Sequence, residues 1–152
     1  MLPDHIIEKI EFEFEEIESL FELYKEELSN LEQKPSLFEL TALGGILHSF
    51  YNGIEKILLI IAKGIDKKIP TDPKWHRSLL IQLAKKNKYR CSVLSGEVKE
   101  LLLDYLGFRH FYRHSYSFHL EWEEMEELVR SLHDMWAKFK SEILLFIKKF
   151  GD

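Results

Sequence analysis

Residues 109 to 116 read Arg-His-Phe-Tyr-Arg-His-Ser-Tyr and hold a fixed cation, a titratable imidazole and a phenol: Arg109, His114 and Tyr116. Arginine keeps its charge and presents a planar fork of donors that fits a phosphate. Histidine moves protons near neutral pH. Together these groups suit phosphodiester chemistry, with His110 and Arg113 as accessory groups in the same run.

The spacing constrains how such a site is built. Successive helical residues advance by about 100°, so Arg109 and Tyr116 share a face while His114 lies roughly 140° around from Arg109. One straight helix does not bring the three together. Either the helix ends or bends near His114, or the site is assembled from two copies across a two-fold interface, the alternative we favour. No metal is expected: of His110, His114, His119 and His133, only His110 and His114 stand four apart on one helical face, and two ligands leave a site incomplete. Tyr105, Phe111 and Tyr112 are read as core or interface, because aromatics at helical spacing usually pack.

The elements that must position these groups are helical. Ile6, Ile10, Phe14, Ile17, Phe21, Tyr24, Leu28 and Leu31 recur three or four apart, predicting a long first helix with Asp4 as N-cap. Gln33-Lys34-Pro35 interrupts it, and Ser36 with Glu39 forms a capping-box pattern that starts a second helix running to about Ile65. Gly44-Gly45 within it permits a close backbone approach or a bend. Asp66 to Pro73 reads as a loop, Asp72-Pro73 opens a third helix over 73–86, and Ser95 caps a fourth through the cluster, with Gly107 a candidate kink. Met125, Leu128, Leu132, Phe139, Ile143 and Phe146 predict a last long helix from about Leu120 to Phe150, ended by Gly151. The expected fold is all-α, an antiparallel bundle of four main helices plus a shorter one, forming a single domain over 1–152.

Composition agrees. Seven Gly and four Pro in 152 residues favour long helices over many turns. One cysteine, Cys91, excludes an internal disulfide framework and any multi-cysteine metal site. The apolar run 57–62 is far shorter than the roughly 20 residues that cross a bilayer, and the acidic N-terminal stretch lacks the pattern of a signal peptide. A cytoplasmic protein with no membrane association is expected. Net charge is −5 but unevenly spread: residues 1–32 carry eleven Asp/Glu against two Lys, and residues 63–113 carry twelve Lys/Arg against five Asp/Glu. The basic middle either attracts polyanions or decorates loops, through Lys67, Lys68, Lys85, Lys86 and Lys88.

Arg109, His114 and Tyr116 also match the R-x-x-x-x-H-x-Y signature of HepT-type HEPN-domain toxins. Tyr51-Asn52-Gly53-Ile54-Glu55 resembles the Tyr-Asn-x-x-Glu segment often found on their second helix. His110 stands where many members place Asn. The resemblance, which spans nearly the whole chain in helix order and length, implies the toxin of a type VII-like HEPN/MNT toxin–antitoxin pair: a metal-independent, homodimeric endoribonuclease without a cofactor. It implies Arg109 and His114 as catalytic residues, with Tyr51, Asn52 and Glu55 either supporting them or satisfying one another inside the bundle. It further implies RNA as substrate, tRNA by analogy, and Tyr116 as acceptor of AMP from ATP on an MNT-type nucleotidyltransferase antitoxin. Two other readings stand beside it: a non-catalytic HEPN module that binds nucleotide or substrate for a nucleotidyltransferase, and a helical dimerisation protein without a site.

Overall fold

The computed structural model describes residues 1–31 and 33–150, with the side chain of Ser117 left out. Its helices are α1 (Asp4–Leu23), α2 (Lys25–Ser29), α3 (Leu37–Ile61), α4 (Trp75–Leu83), α5 (Gly96–His114), α6 (Trp122–Arg130) and α7 (Leu132–Lys149). A π-helical turn over Ala62–Asp66 extends α3, and a 3₁₀ turn over Ser117–His119 follows α5. Among the described residues there is no strand, so the all-α expectation is met.

α3 is the central rod. It packs against α1, α4, α5 and α6, and it buries residues around most of its circumference. Its start follows from local chemistry: the Ser36 hydroxyl accepts from the Glu39 amide at 3.2 Å and the Glu39 carboxylate accepts from the Ser36 amide at 2.9 Å, the expected capping box. Apolar residues from Leu2 to Phe146 join one buried cluster around it. Burial of each large side chain contributes about 1.5–3 kcal/mol before entropy is counted. Gly53 permits the close approach of α1, because a Cβ there would sit 2.6 Å from the Ile17 side chain.

Several boundaries differ from the periodicity. The first helix stops at Leu23: Tyr24 leaves helical geometry (φ −110°, ψ 21°), α2 follows, and Leu28 and Leu31 are only half-buried. Pro3, not Asp4, occupies its N-cap. The third helix is shorter than 73–86, with Asp72 instead accepting from the Lys74 amide and the Ser78 hydroxyl in the preceding turn. The expected last helix is two, broken at Ser131 (φ −91°, ψ 2°) between α6 and α7. α5 runs unbroken through Gly107, and Ser95 caps it as expected, accepting from the Val98 amide at 3.1 Å. Gly151 lies outside the described residues.

Between α4 and α5 the chain is tied down by one buried ion pair. Arg90 forms a two-bond fork onto Asp66, each bond 2.7 Å, and donates also to the carbonyls of Lys85, Cys91 and Gln82. Burial raises the Asp66 pKa, but the bonds from Arg90, Gln82 and Asn87 outweigh it and hold the carboxyl below its ordinary value. The loop fixed in this way exposes Lys85, Lys86, Lys88 and Tyr89. No helix is long and apolar enough to cross a membrane among the described residues.

Candidate active site

α5 carries Arg109 and His114 and packs on α3 through Phe50 with Tyr105, Asn52 with Arg109, and His48 with Tyr112. Tyr105 is anchored from the other side, its hydroxyl donating to the Leu128 carbonyl of α6 at 2.7 Å. Gly44 leaves room for the Tyr112 ring, since a Cβ there would stand 3.0 Å from it. These contacts fix the rotation of α5 and bury Arg109 to 9% exposure against α3. The close approach expected at Gly44 therefore positions the motif.

Arg109 does not sit on the helix surface or pair with a neighbouring carboxylate. Its Nε–H donates to Asn52 Oδ1 at 3.1 Å, and among the described residues the two terminal guanidinium nitrogens have no protein partner. The residue as a whole is covered, yet neither terminal nitrogen is among the fully buried atoms without a partner, so the charged end still meets solvent. Here it is balanced by no anion of the chain among the described residues. The arrangement amounts to an oriented cation facing outward with its fork unspent, which is what an anionic ligand requires.

α5 ends at His114, and Ser115 turns the backbone into extended geometry (φ −124°, ψ 161°). Of the two resolutions left open by the spacing, the ending of the helix near His114 is therefore present in the single chain. Tyr116 falls beyond the helix, so it does not share a helical face with Arg109 as the spacing predicted. His114 is exposed, with the His110 ring tilted against it at 4.5 Å between centroids. Arg113 is exposed as well. Tyr116 is 70% exposed and stacks on Phe118 at 5.2 Å with nearly parallel planes. Together with Tyr112, Ser115 and Leu120 it lines a small cavity of about 200 Å³.

Tyr51, Asn52 and Glu55 divide their roles and do not satisfy one another. Asn52 holds Arg109. Glu55, buried, pairs with His76 Nδ1 of α4 at 2.7 Å. The Tyr51 hydroxyl is buried with no partner among the described residues. Burial, reinforced by the Glu55 charge and only partly offset by Arg109, pushes its pKa well above the ordinary phenol range, so it stays protonated.

One residue of this cluster was missed in the sequence. His48 lies one turn before Asn52 on α3, stacks on Tyr112 at 5.1 Å, and has Nε2 3.2 Å from Asn52 Nδ2. Its spacing of four from Asn52 was the available signal. Burial, then the charges of Arg109 and Arg113, hold its pKa below the ordinary 6.5. Among the described residues no group of three or more His, Cys, Asp or Glu is placed to hold a metal ion.

The sequence model of the HepT-like protein family matches residues 42–150, leaving α1 and α2 outside the matched stretch. No curated protein matches the chain, and no solved structure does. The HepT-like family is associated with toxin–antitoxin systems and nucleotidyltransferase partners, and HEPN domains are generally ribonucleases. With most of the chain matched and the motif carried on an all-helical frame, this chain belongs to the HepT-like, HEPN-domain family.

Proposed function

We propose that the chain is a toxin of the HEPN/MNT type, folded as one HEPN domain, that cleaves RNA through Arg109 and His114 without a metal or cofactor. The observation that carries this reading is the guanidinium of Arg109: buried, aligned by a neutral amide, and not compensated by any carboxylate among the described residues. A phosphodiester supplies the missing charge. His114, exposed at the end of the same helix, is free to act on a bound strand.

In the reaction, His114 takes the proton of a ribose 2'-hydroxyl as its oxygen attacks the adjacent 3'-phosphorus. Arg109 stabilises the charge gathering on the non-bridging oxygens. The bond from phosphorus to the 5'-oxygen breaks, that oxygen gains a proton, and the products are a 2',3'-cyclic phosphate and a 5'-hydroxyl. A homodimer supports the proton delivery, since a second copy brings another His114 to the cleft. The exposed Tyr116 and Phe118 offer apolar surface beside the motif for such a contact. The exposed lysines of the 85–88 loop favour a polyanionic substrate, with tRNA as the first to test.

Silencing is assigned to Tyr116. Its hydroxyl oxygen attacks the α-phosphorus of ATP held by a partner nucleotidyltransferase, forming a tyrosyl–AMP ester and releasing pyrophosphate and the phenolic proton. The 70% exposure of Tyr116 on a non-helical segment gives another enzyme access to it. The attached phosphate then places negative charge two residues beyond His114, where it repels an RNA strand.

The decisive experiment incubates the purified protein with tRNA, with mRNA and with a strand carrying a single 2'-deoxy substitution at the mapped cut. Cleavage that stops at the deoxy position supports the reading. Nucleotide binding without cleavage of any RNA would replace it with the binding-module reading. Intact mass after incubation with the partner and ATP should rise for the wild type and stay constant for Tyr116→Phe.

A further inference from the structure

We infer that His48 is a positioning residue that holds Arg109 ready through Asn52 in its neutral form and releases it when protonated. The argument starts from donor counting. The Nε of arginine can only donate, so the Asn52 atom facing it at 3.1 Å must be the carbonyl oxygen. The amide nitrogen of Asn52, which also only donates, is then turned towards His48 Nε2 at 3.2 Å. That ring nitrogen must present its lone pair, and the single ring proton of neutral His48 must be on Nδ1.

Protonation breaks this chain at a defined place. With a proton on Nε2, His48 and the Asn52 amide nitrogen are two donors facing each other. Turning the Asn52 amide over relieves that clash but sets its nitrogen against Arg109 Nε–H, another pair of donors. Unturned, the amide keeps Arg109 but loses its link to His48; turned, it keeps His48 and Arg109 is no longer held. The Nδ1 of His48 is buried without a partner among the described residues, so no other bond compensates.

The charges on α5 act in the same direction. From α5, Arg109 and Arg113 oppose a third positive charge at His48, and Tyr112 covers the ring. From α1, Glu13 and Glu16 line the groove that Asn52 opens into, with Lys56 of α3 on its rim. Burial and the two guanidiniums hold His48 neutral at pH 7, so the holding state prevails there and is lost on acidification below the ordinary histidine range. The consequence for catalysis rests on the proposed RNA cleavage. The tautomer and the release do not.

The test is nuclear magnetic resonance on the full chain, following the His48 ring nitrogens and the Arg109 Nε–H across pH 5 to 8. Expected is a proton on Nδ1 at neutral pH, and an Arg109 Nε–H protection factor, referred to the intrinsic exchange rate, that drops about tenfold or more as His48 titrates. In His48→Gln, whose carbonyl can still accept from Asn52 without titrating, the protection should persist to low pH. In Asn52→Asp it should persist too, because a carboxylate accepts from both neighbours, while the affinity for an RNA dinucleotide falls through charge compensation. A proton on Nε2 at neutral pH, or Arg109 protection that ignores the His48 titration, overturns the inference. Protection that follows His48 in a protein cleaving no RNA at any pH leaves it standing and removes the ribonuclease reading instead.

Discussion

Two buried arginines, Arg90 and Arg109, occupy the same fold with opposite fates. All five donors of Arg90 are directed at protein acceptors: a bidentate carboxylate from Asp66 and three backbone carbonyls. Arg109 has one bond, to a neutral amide, and among the described residues no carboxylate. The first charge is fully neutralised within the chain and can only be structural. The second is held at Nε with its terminal nitrogens open to solvent and no carboxylate beside them among the described residues, an arrangement suited to an anion arriving from outside. Burial alone thus says little about function; what distinguishes the two residues is whether their donors are already used.

The comparison can be broken by exchanging the roles. The largest effect is expected from Arg90→Ala, which leaves Asp66 as an uncompensated buried charge: about 3–5 kcal/mol of stability should be lost, read by denaturant unfolding. Cleavage per folded molecule should stay near wild type. Arg109→Ala should do the reverse, reducing RNA cleavage about 10² to 10³-fold while the unfolding midpoint moves little. If it unfolds the protein as Arg90→Ala does, the two arginines are alike and the proposed site is lost. For His114→Ala, removal of general acid–base help should reduce the rate by about 10² to 10⁴-fold at unchanged stability. Asn52→Ala should cost less, on the order of one hydrogen bond to a charged group, about 1.5–3 kcal/mol expressed mainly in cleavage.

The smallest effect sharpens the contrast through pH. His48 has a folded pKa below its ordinary 6.5, so the unfolded chain binds more protons there, and stability present above 6.5 is lost as pH falls through the folded value. Asp66 is likewise depressed from 3.8, but its contribution is retained until much lower pH. Unfolding free energy should therefore decline in two separate windows on acidification, and His48→Gln should erase the upper one alone. A single decline in the carboxylate range for both proteins would show that His48 does not titrate with folding.

Local chemistry was legible where a few neighbouring side chains decide the outcome. Ser36 with Glu39, and Ser95 ahead of Val98, start their helices as their types require, because each cap is completed within three residues. The breaks at Tyr24 and Ser131 were not legible. Neither is marked by Gly or Pro, and the apolar spacing continues across both, so a straight helix satisfies the pattern equally well. At Ser131 the turn lets α6 bury Trp122, Met125 and Val129 while α7 begins its own buried face at Leu132.

The motif shows the same division. From its sequence alone this chain declares an all-helical frame and a run of residue types suited to phosphate chemistry, since periodicity and side-chain chemistry are properties of short segments. Which arginine is neutralised and which is left open depends on partners 24 residues away for Arg90 and 57 away for Arg109. That choice, together with the recruitment of His48 and the ending of α5 at His114, belongs to tertiary structure. A charge's environment is set by whatever packs against it, and only the folded chain brings α3 against α5.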